Sequence, residues 1–195
     1  MNLADLSPLE WAANLVTALS VLLAAQARVA TWPTGIIGSA LFGWLFWQNQ
    51  LYADLTLQLF FIATSASGWW QWQRAGGPAA TQQRQALAGR SLLGMVLAGL
   101  VVALAYGALL QRFTQAYAPF WDSAVLVTSV IAQVLLMRGH HQTWPAWLVV
   151  NTLSVPLYLS RGLFLTAGLY TLFWLNAWYG WWRWHRLQHR APALA

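Results

Sequence analysis

The chain has 195 residues, of which 59% are hydrophobic and only 7% charged, with a net charge of +6. A soluble domain carries about 25% charged residues, so a water-facing surface is excluded over most of the molecule and an integral membrane protein is expected. The absence of Cys excludes disulfides and thiolate metal sites.

The N-terminus carries Asp5 and Glu10, and no basic residue precedes Arg28. That is unlike the charged start of a cleavable signal peptide, so the whole chain is expected in the mature protein. Seven apolar runs follow, at about 9–26, 32–48, 51–72, 90–110, 122–137, 144–160 and 163–184; spanning a bilayer takes roughly 17–25 such residues. A hydrophilic link occupies 73–89, and Asn49-Gln50 and Ser160-Arg161-Gly162 read as tight turns.

Sliding the chain by 112 positions without a gap superposes residues 31–74 on 143–186, with 13 of 44 positions identical. Trp32-Pro33 meets Trp144-Pro145, and Gly68-Trp69-Trp70-x-Trp72-x-Arg74 meets Gly180-Trp181-Trp182-x-Trp184-x-Arg186. An internal repeat in a helical membrane protein points to a binding site between the halves, exposed to each side in turn. Each copy, extended upstream, contains three helices, so a fourth helix is needed to make the copies parallel. The reading is an all-α fold of seven transmembrane helices, two parallel three-helix bundles joined by a linker helix. Its expected units are a first bundle at 1–74, a linker and connector helix at 75–116, a second bundle at 117–186 and a tail at 187–195. The fourth helix, the most uniformly apolar, reads as a lipid-facing connector whose glycines serve packing.

All ten basic residues are Arg, spread between apolar runs rather than gathered in a stripe, which argues against nucleic acid. With seven spans, one face collects Arg28, Arg74, Arg84, Arg90, Arg138, Arg183, Arg186 and Arg190. The other collects Arg112, Arg161 and the acids Asp5, Glu10, Asp54 and Asp122. Basic loops stay cytoplasmic, so the N-terminus is expected outside and the C-terminus inside.

A polar side chain within a bilayer needs a partner, a water-filled cavity or a ligand. Gln58, Phe61, Ser65 and Gly68 fall on one face of the third helix, and Tyr170, Phe173 and Gly180 repeat that face, with Asn176 at its edge opposite Thr64. The sixth helix adds Asn151, Ser154 and Tyr158; the first adds Asn14, Thr17 and Ser20; the fifth adds Thr128, Ser129 and Gln133. Ser and Thr can bond their own helix backbone. An amide has four hydrogen-bonding sites that a backbone cannot fill, so Gln58, Asn151 and Asn176 are the stronger candidates. Of the 15 Trp, those near span ends (Trp11, Trp32, Trp72, Trp144, Trp184) read as interfacial anchors. Trp44 and Trp121 are candidates for stacking on an aromatic ligand. Pro156 interrupts the sixth helix, which suits either a moving gate or a packing irregularity.

No carboxylate or His falls near the expected centre, so the site reads as polar, uncharged and aromatic. It suits a small hydrogen-bonding aromatic solute moved down its gradient. No P-loop, HExxH or GxSxG is present, and no convergent acid, base or metal set is visible. The chain is therefore read as neither an enzyme nor an ATPase, and no cofactor is expected. A non-transporting membrane subunit or sensor is the alternative from another class.

Leu51-Tyr52-Ala53-x5-Gln58-x-Phe60-Phe61 running into Gly68-Trp69-x-x-Trp72, then Pro119-Phe120-Trp121-Asp122-Ser123 and Asn151-x-x-Ser154, resemble the PnuC family of bacterial nicotinamide riboside transporters. The likeness covers roughly 30–75 and 118–186. It implies two three-helix bundles joined by one helix, as in a full-length SWEET sugar transporter. It implies facilitated diffusion through the bacterial inner membrane, drawn inward by a cytoplasmic kinase that phosphorylates the vitamin, and a homotrimer. Carried over by motif, Gln58, Trp121, Asn151 and Asn176 line the vitamin site; Trp44, Ser65, Tyr158 and Tyr170 complete the candidate set. Ser65 and Ser67 depart from the Asn and Tyr of nicotinamide riboside members, and Arg161 to Thr166 looks more like relatives thought to carry thiamine. Thiamine, or riboflavin, is thus the alternative substrate.

Overall fold

The computed structural model describes residues 7–48, 52–76, 87–114, 117–160, 162 and 164–190. Among them run seven helices: α1 (Pro8–Ala25), α2 (Thr31–Gln48), α3 (Tyr52–Arg74), α4 (Gly89–Phe113), α5 (Pro119–Met137), α6 (Thr143–Ser160) and α7 (Phe164–Arg190). The Asn49-Gln50 turn, Arg161 and most of the hydrophilic link lie outside the described residues.

Local chemistry sets the ends. Ser7 caps α1: its hydroxyl accepts from Glu10 N at 3.2 Å while Ser7 N donates to the Glu10 carboxylate at 2.6 Å, with Pro8 in the first turn. Proline also opens α5, which begins at Pro119 rather than at the expected 122. At the far end of α1, Arg28 N reaches Leu23 O and Ala27 N reaches Ala24 O, with Ala27 left-handed at φ 55°. The end of α5 repeats this closure: His140 N reaches Leu135 O and Gly139 N reaches Leu136 O, with Gly139 at φ 73°. Ala27 and Gly139 are 112 residues apart, although this stretch shows little identity.

The offset of 112 holds in space almost to the residue. Thr31 and Thr143 open α2 and α6, Gln48 and Ser160 close them, and Tyr52 and Phe164 open α3 and α7. Thr31 Oγ1 donates to Ser20 O and Thr143 Oγ1 to Ala132 O, each at 2.8 Å. Arg74 lies 4.1 Å from the Trp70 ring centroid, and Arg186 lies 4.1 Å from that of Trp182.

Six helices close a ring. α1 packs on α2 and α2 on α3; α5 packs on α6 and α6 on α7. Two seams join these triplets, α3 against α5 and α1 against α7. The repeat turns one seam into the other. α4 lies outside the ring against α5. It buries only Gly107, beside Phe120, and exposes Leu93, Val96, Leu97, Leu100, Val101 and Leu104.

α1, α4 and α5 are long and apolar enough to cross a membrane. The other four are diluted by Trp, Gly and polar residues.

The core corrects one expectation. Trp32, Trp72, Trp144 and Trp184 are not interfacial anchors, because each is at most 2% exposed. They meet in a chain of rings: Trp32 to Trp72 at 5.1 Å, Trp72 to Trp184 at 5.9 Å, and Trp184 to Trp144 at 5.4 Å. Edge-to-face contacts of this kind add about 0.5–1.5 kcal/mol per pair beyond burial. Trp32 and Trp144 start α2 and α6, while Trp72 and Trp184 sit near the ends of α3 and α7, so the cluster closes one end of the ring. Trp11, at 38% exposed, remains at the surface.

Candidate functional site

Inside the ring is a cavity of about 660 Å³. Each ring helix turns one stripe toward it, set by helical spacing. α1 contributes Thr17, Ser20, Val21 and Ala24; α3 contributes Gln58, Phe61 and Ser65; α7 contributes Tyr170, Phe173 and Asn176. On α5 the stripe runs Asp122, Val125, Leu126, Ser129 and Gln133, and on α6 it runs Trp144, Trp147, Asn151 and Tyr158. Trp32 and Trp144 form its closed end, with Trp72 and Trp184 behind them.

Six of the eight candidates from sequence share this wall: Gln58, Ser65, Asn151, Tyr158, Tyr170 and Asn176. Asn151 is 3% exposed and Ser65 4%. Asn176 Nδ2 donates to Val21 O at 3.0 Å across the α1–α7 seam, which fixes the amide and leaves its oxygen as the free end. The rings of Tyr158 and Tyr170 pack at 4.9 Å, and Phe173 lies 5.7 Å beyond.

The structure places the other two candidates outside the cavity lining. Trp44 is 58% exposed and borders a shallow outer groove with Trp47 and Leu59. Trp121 is 42% exposed, and its indole nitrogen donates to Leu153 O at 2.7 Å. That bond locks its ring against α6. Trp44 occupies the position that Pro156 holds in the second copy, on the outer side of its helix.

Three further expectations change. Gly68 and Gly180 do not serve the cavity. A Cβ on Gly68 would lie 2.6 Å from the Trp32 ring, and one on Gly180 2.6 Å from the Trp144 ring, so each glycine makes room for an indole. The fourth helix is not purely lipid-facing, since Tyr106 and Leu110 reach the cavity wall. The cavity is not charge-free, since Asp122 lines it.

Sequence reasoning missed Trp147, Tyr106 and Asp122 as lining residues. Two signals were available. Trp147 stands one turn before Asn151, and Asp122 lies in phase with Ser129 and Gln133. Gln133 is 7% exposed, and its amide donates to Thr64 Oγ1 at 3.4 Å across the α3–α5 seam. Thr64 in turn donates to Phe60 O of its own helix at 2.9 Å. Asn14 donates to Glu10 O at 2.8 Å, a bond within α1. Ser154 is fully buried off the cavity, and its hydroxyl has no protein partner.

The arrangement can hold a solute by ring packing and neutral hydrogen bonds. Its size lies within the usual range for small-molecule sites, about 300–1,000 Å³.

The chain is similar to known membrane transporters in sequence and in fold. A family described as nicotinamide mononucleotide transporter matches residues 7–186. A nicotinamide riboside transporter, PnuC, of Escherichia coli is 27% identical over 185 residues, covering 82% of this chain and 77% of that protein. A riboflavin/roseoflavin transporter, RibM, of Streptomyces davaonensis is 25% identical over 171 residues, covering 82% and 76%. The crystal structure of a vitamin B3 transporter, PnuC, superposes with a TM-score of 0.73 at 25% identity, over 93% of this chain and 82% of that one.

Proposed function

The chain belongs to the nicotinamide mononucleotide transporter family, and on that premise we propose that it carries nicotinamide riboside across the bacterial inner membrane by facilitated diffusion. The observation behind the reading is the cavity of about 660 Å³ between two repeat-related triplets, lined by amides, hydroxyls and rings. The PnuC relatives and the solved vitamin B3 transporter support the choice of substrate.

In this reading all seven helices span the bilayer, as two parallel bundles, α1–α3 and α5–α7, joined by α4. The N-terminus lies outside and the Arg-rich C-terminus in the cytoplasm. The bundles rock about the central cavity, opening it to one side and then the other. The vitamin ring packs among Tyr158, Tyr170, Phe61 and Phe173, while Gln58, Ser65, Asn151 and Asn176 take its hydrogen bonds. Retention must stay moderate, because a site that holds too tightly does not release. Phosphorylation by a cytoplasmic kinase keeps the flux inward, and the chain works as a homotrimer.

RibM favours a second reading, in which the solute is riboflavin. Purified protein in liposomes, given labelled nicotinamide riboside against unlabelled nicotinamide riboside, thiamine and riboflavin, separates these. Saturable uptake competed best by nicotinamide riboside supports the first reading. Uptake competed best by riboflavin or thiamine reassigns the substrate. Absence of flux for all three points to a non-transporting subunit or sensor.

A further inference from the structure

α7 carries an ordered stripe on its outer side. Leu172, Leu175, Tyr179, Trp182 and Arg186 recur at intervals of three and four residues, which is one helical face, and Arg183 borders it. Its leucines and rings are exposed, while Asn176, Ala177 and Trp184 on the other side of the same turns are buried. Toward the helix end the stripe passes from aliphatic to aromatic to cationic. From Leu172 to Arg186 it runs about 20 Å by the helical rise. One leaflet, from bilayer centre through the headgroups, is also about 20 Å deep. A phospholipid presents its chains, glycerol and phosphate in that order over that depth.

The cationic end is already positioned. Arg183 Nη1 donates to Tyr179 OH at 3.1 Å, and the Arg186 guanidinium lies 4.1 Å from the Trp182 ring centroid. A guanidinium stacked on a ring keeps its edge N–H groups for a forked acceptor such as phosphate. Three residues apart on a helix, the two cations are neighbours and repel. No side-chain carboxylate stands near enough to relieve them. Glu10, Asp54 and Asp122 stand in the first turns of α1, α3 and α5, whose last turns make the closed end, and Asp5 precedes α1 in sequence. The other ionisable side chains described at the closed end are Arg28, Arg74, Arg90 and Arg138, with His140, His141 and His185. None of these supplies a negative charge.

The first copy shows what is particular to α7. Its equivalent face reads Phe60, Ala63, Ser67, Trp70 and Arg74, with Gln71 in place of Arg183. Arg74 lies over Trp70 at the same 4.1 Å, but Ser67 donates to Ala63 O of its own helix at 2.9 Å, and the second cation is missing.

We propose that this face of α7 binds one anionic phospholipid of the cytoplasmic leaflet, with its phosphate between Arg183 and Arg186 and its chains along Leu175 and Leu172. The inference rests on reading α7 as a membrane span with its Arg-rich end in the cytoplasm. It does not depend on the solute. Anionic headgroups also gather at any basic membrane surface. That attraction treats exposed Arg residues alike, so a difference between the α7 and α3 faces isolates a built site.

The test is native mass spectrometry of purified full-length protein given equal amounts of phosphatidylglycerol and phosphatidylcholine with the same chains. Wild type is expected to retain one phosphatidylglycerol per chain, at least about fivefold over phosphatidylcholine. Arg183→Gln with Arg186→Gln should bring the two lipids within about twofold, and Arg74→Gln should keep the preference. Ser67→Tyr with Gln71→Arg should add a second retained phosphatidylglycerol. No preference in wild type, an unchanged preference in the α7 double variant, or equal loss in Arg74→Gln overturns the proposal. So does displacement of the lipid by an equal concentration of inorganic phosphate, which would make the site one for the free anion. A change of oligomeric mass in the α7 variant, without loss of lipid, assigns the face to a contact between copies and overturns it too. If the α7 variant yields no folded protein, the α3 double variant decides: without a second lipid the proposal falls. Each failure leaves the vitamin reading standing, because no solute enters the measurement.

Discussion

A single methyl group is enough to disturb the closed end of the ring. Cβ atoms built on Gly68 and Gly180 would come within 2.6 Å of the Trp32 and Trp144 indoles. Neither indole can retreat, since Trp72 and Trp184 stand behind them at 5.1 and 5.4 Å. Gly68→Ala and Gly180→Ala should each destabilise the protein by about 2–3 kcal/mol through overpacking, read as a lowered melting temperature in detergent. The cavity amides should behave differently. Asn151→Ala and Gln58→Ala should each reduce nicotinamide riboside uptake about tenfold or more, while folded protein and melting change little. Unchanged uptake in both variants would remove the assignment of the cavity as the solute site. At this scale the sequence was only partly legible. Trp near a span end serves equally as an anchor or as core, and composition does not distinguish the two. The spacing did carry a clue: Trp32 precedes Gly68, and Trp144 precedes Gly180, by the same interval.

The elements themselves were readable from long apolar runs. Their limits were less so, because an apolar span bounds the lipid-crossing segment rather than the helix. α7 continues to Arg190, past the expected end near 184, through residues that hold helix well in water. Where α5 passes into α6, His141 lies within electrostatic reach of His140 and of His185 near the end of α7. Burial, then the charges of His185 and His140, push the His141 imidazole below its ordinary value of 6.5. The folded protein therefore binds that proton less readily than the unfolded chain. Stability from this group is full above about pH 6.5 and declines as pH falls below it. Wild type should melt at a lower temperature at pH 5.5 than at pH 7.5, and His141→Gln should narrow the difference.

Across the whole molecule, the repeat predicted two equivalent halves but not how they meet. The two seams fill the same place in the pattern with different bonds. On the α1–α7 seam, Asn176 donates to Val21 O at 3.0 Å and Trp184 Nε1 to Ala24 O at 3.2 Å. On the α3–α5 seam, the equivalent positions offer one 3.4 Å contact, Gln133 to Thr64, and the Trp72 indole nitrogen has no protein acceptor. Such differences arise from single residues (Asn176 opposite Thr64, Gln133 opposite Val21), which no helical periodicity reports. The halves should hinge at α1–α7 and part at α3–α5. The chain has no native Cys, so paired cysteines test this directly. A cross-link joining α3 to α5 should abolish uptake, whereas one joining α1 to α7 should leave most of it.

The unanswered Trp72 nitrogen has a bearing on how long the carrier stays shut. It lies at 0% exposure, enclosed by the indoles of Trp32 and Trp184. A buried donor left without an acceptor costs about 1–3 kcal/mol, and that penalty vanishes once the parting helices admit water. Tight ring packing pulls toward the sealed form; a thirsty N–H pulls back. Opposed forces of similar size keep the resting shape from becoming a dead end, which a carrier that must reset after every passenger requires.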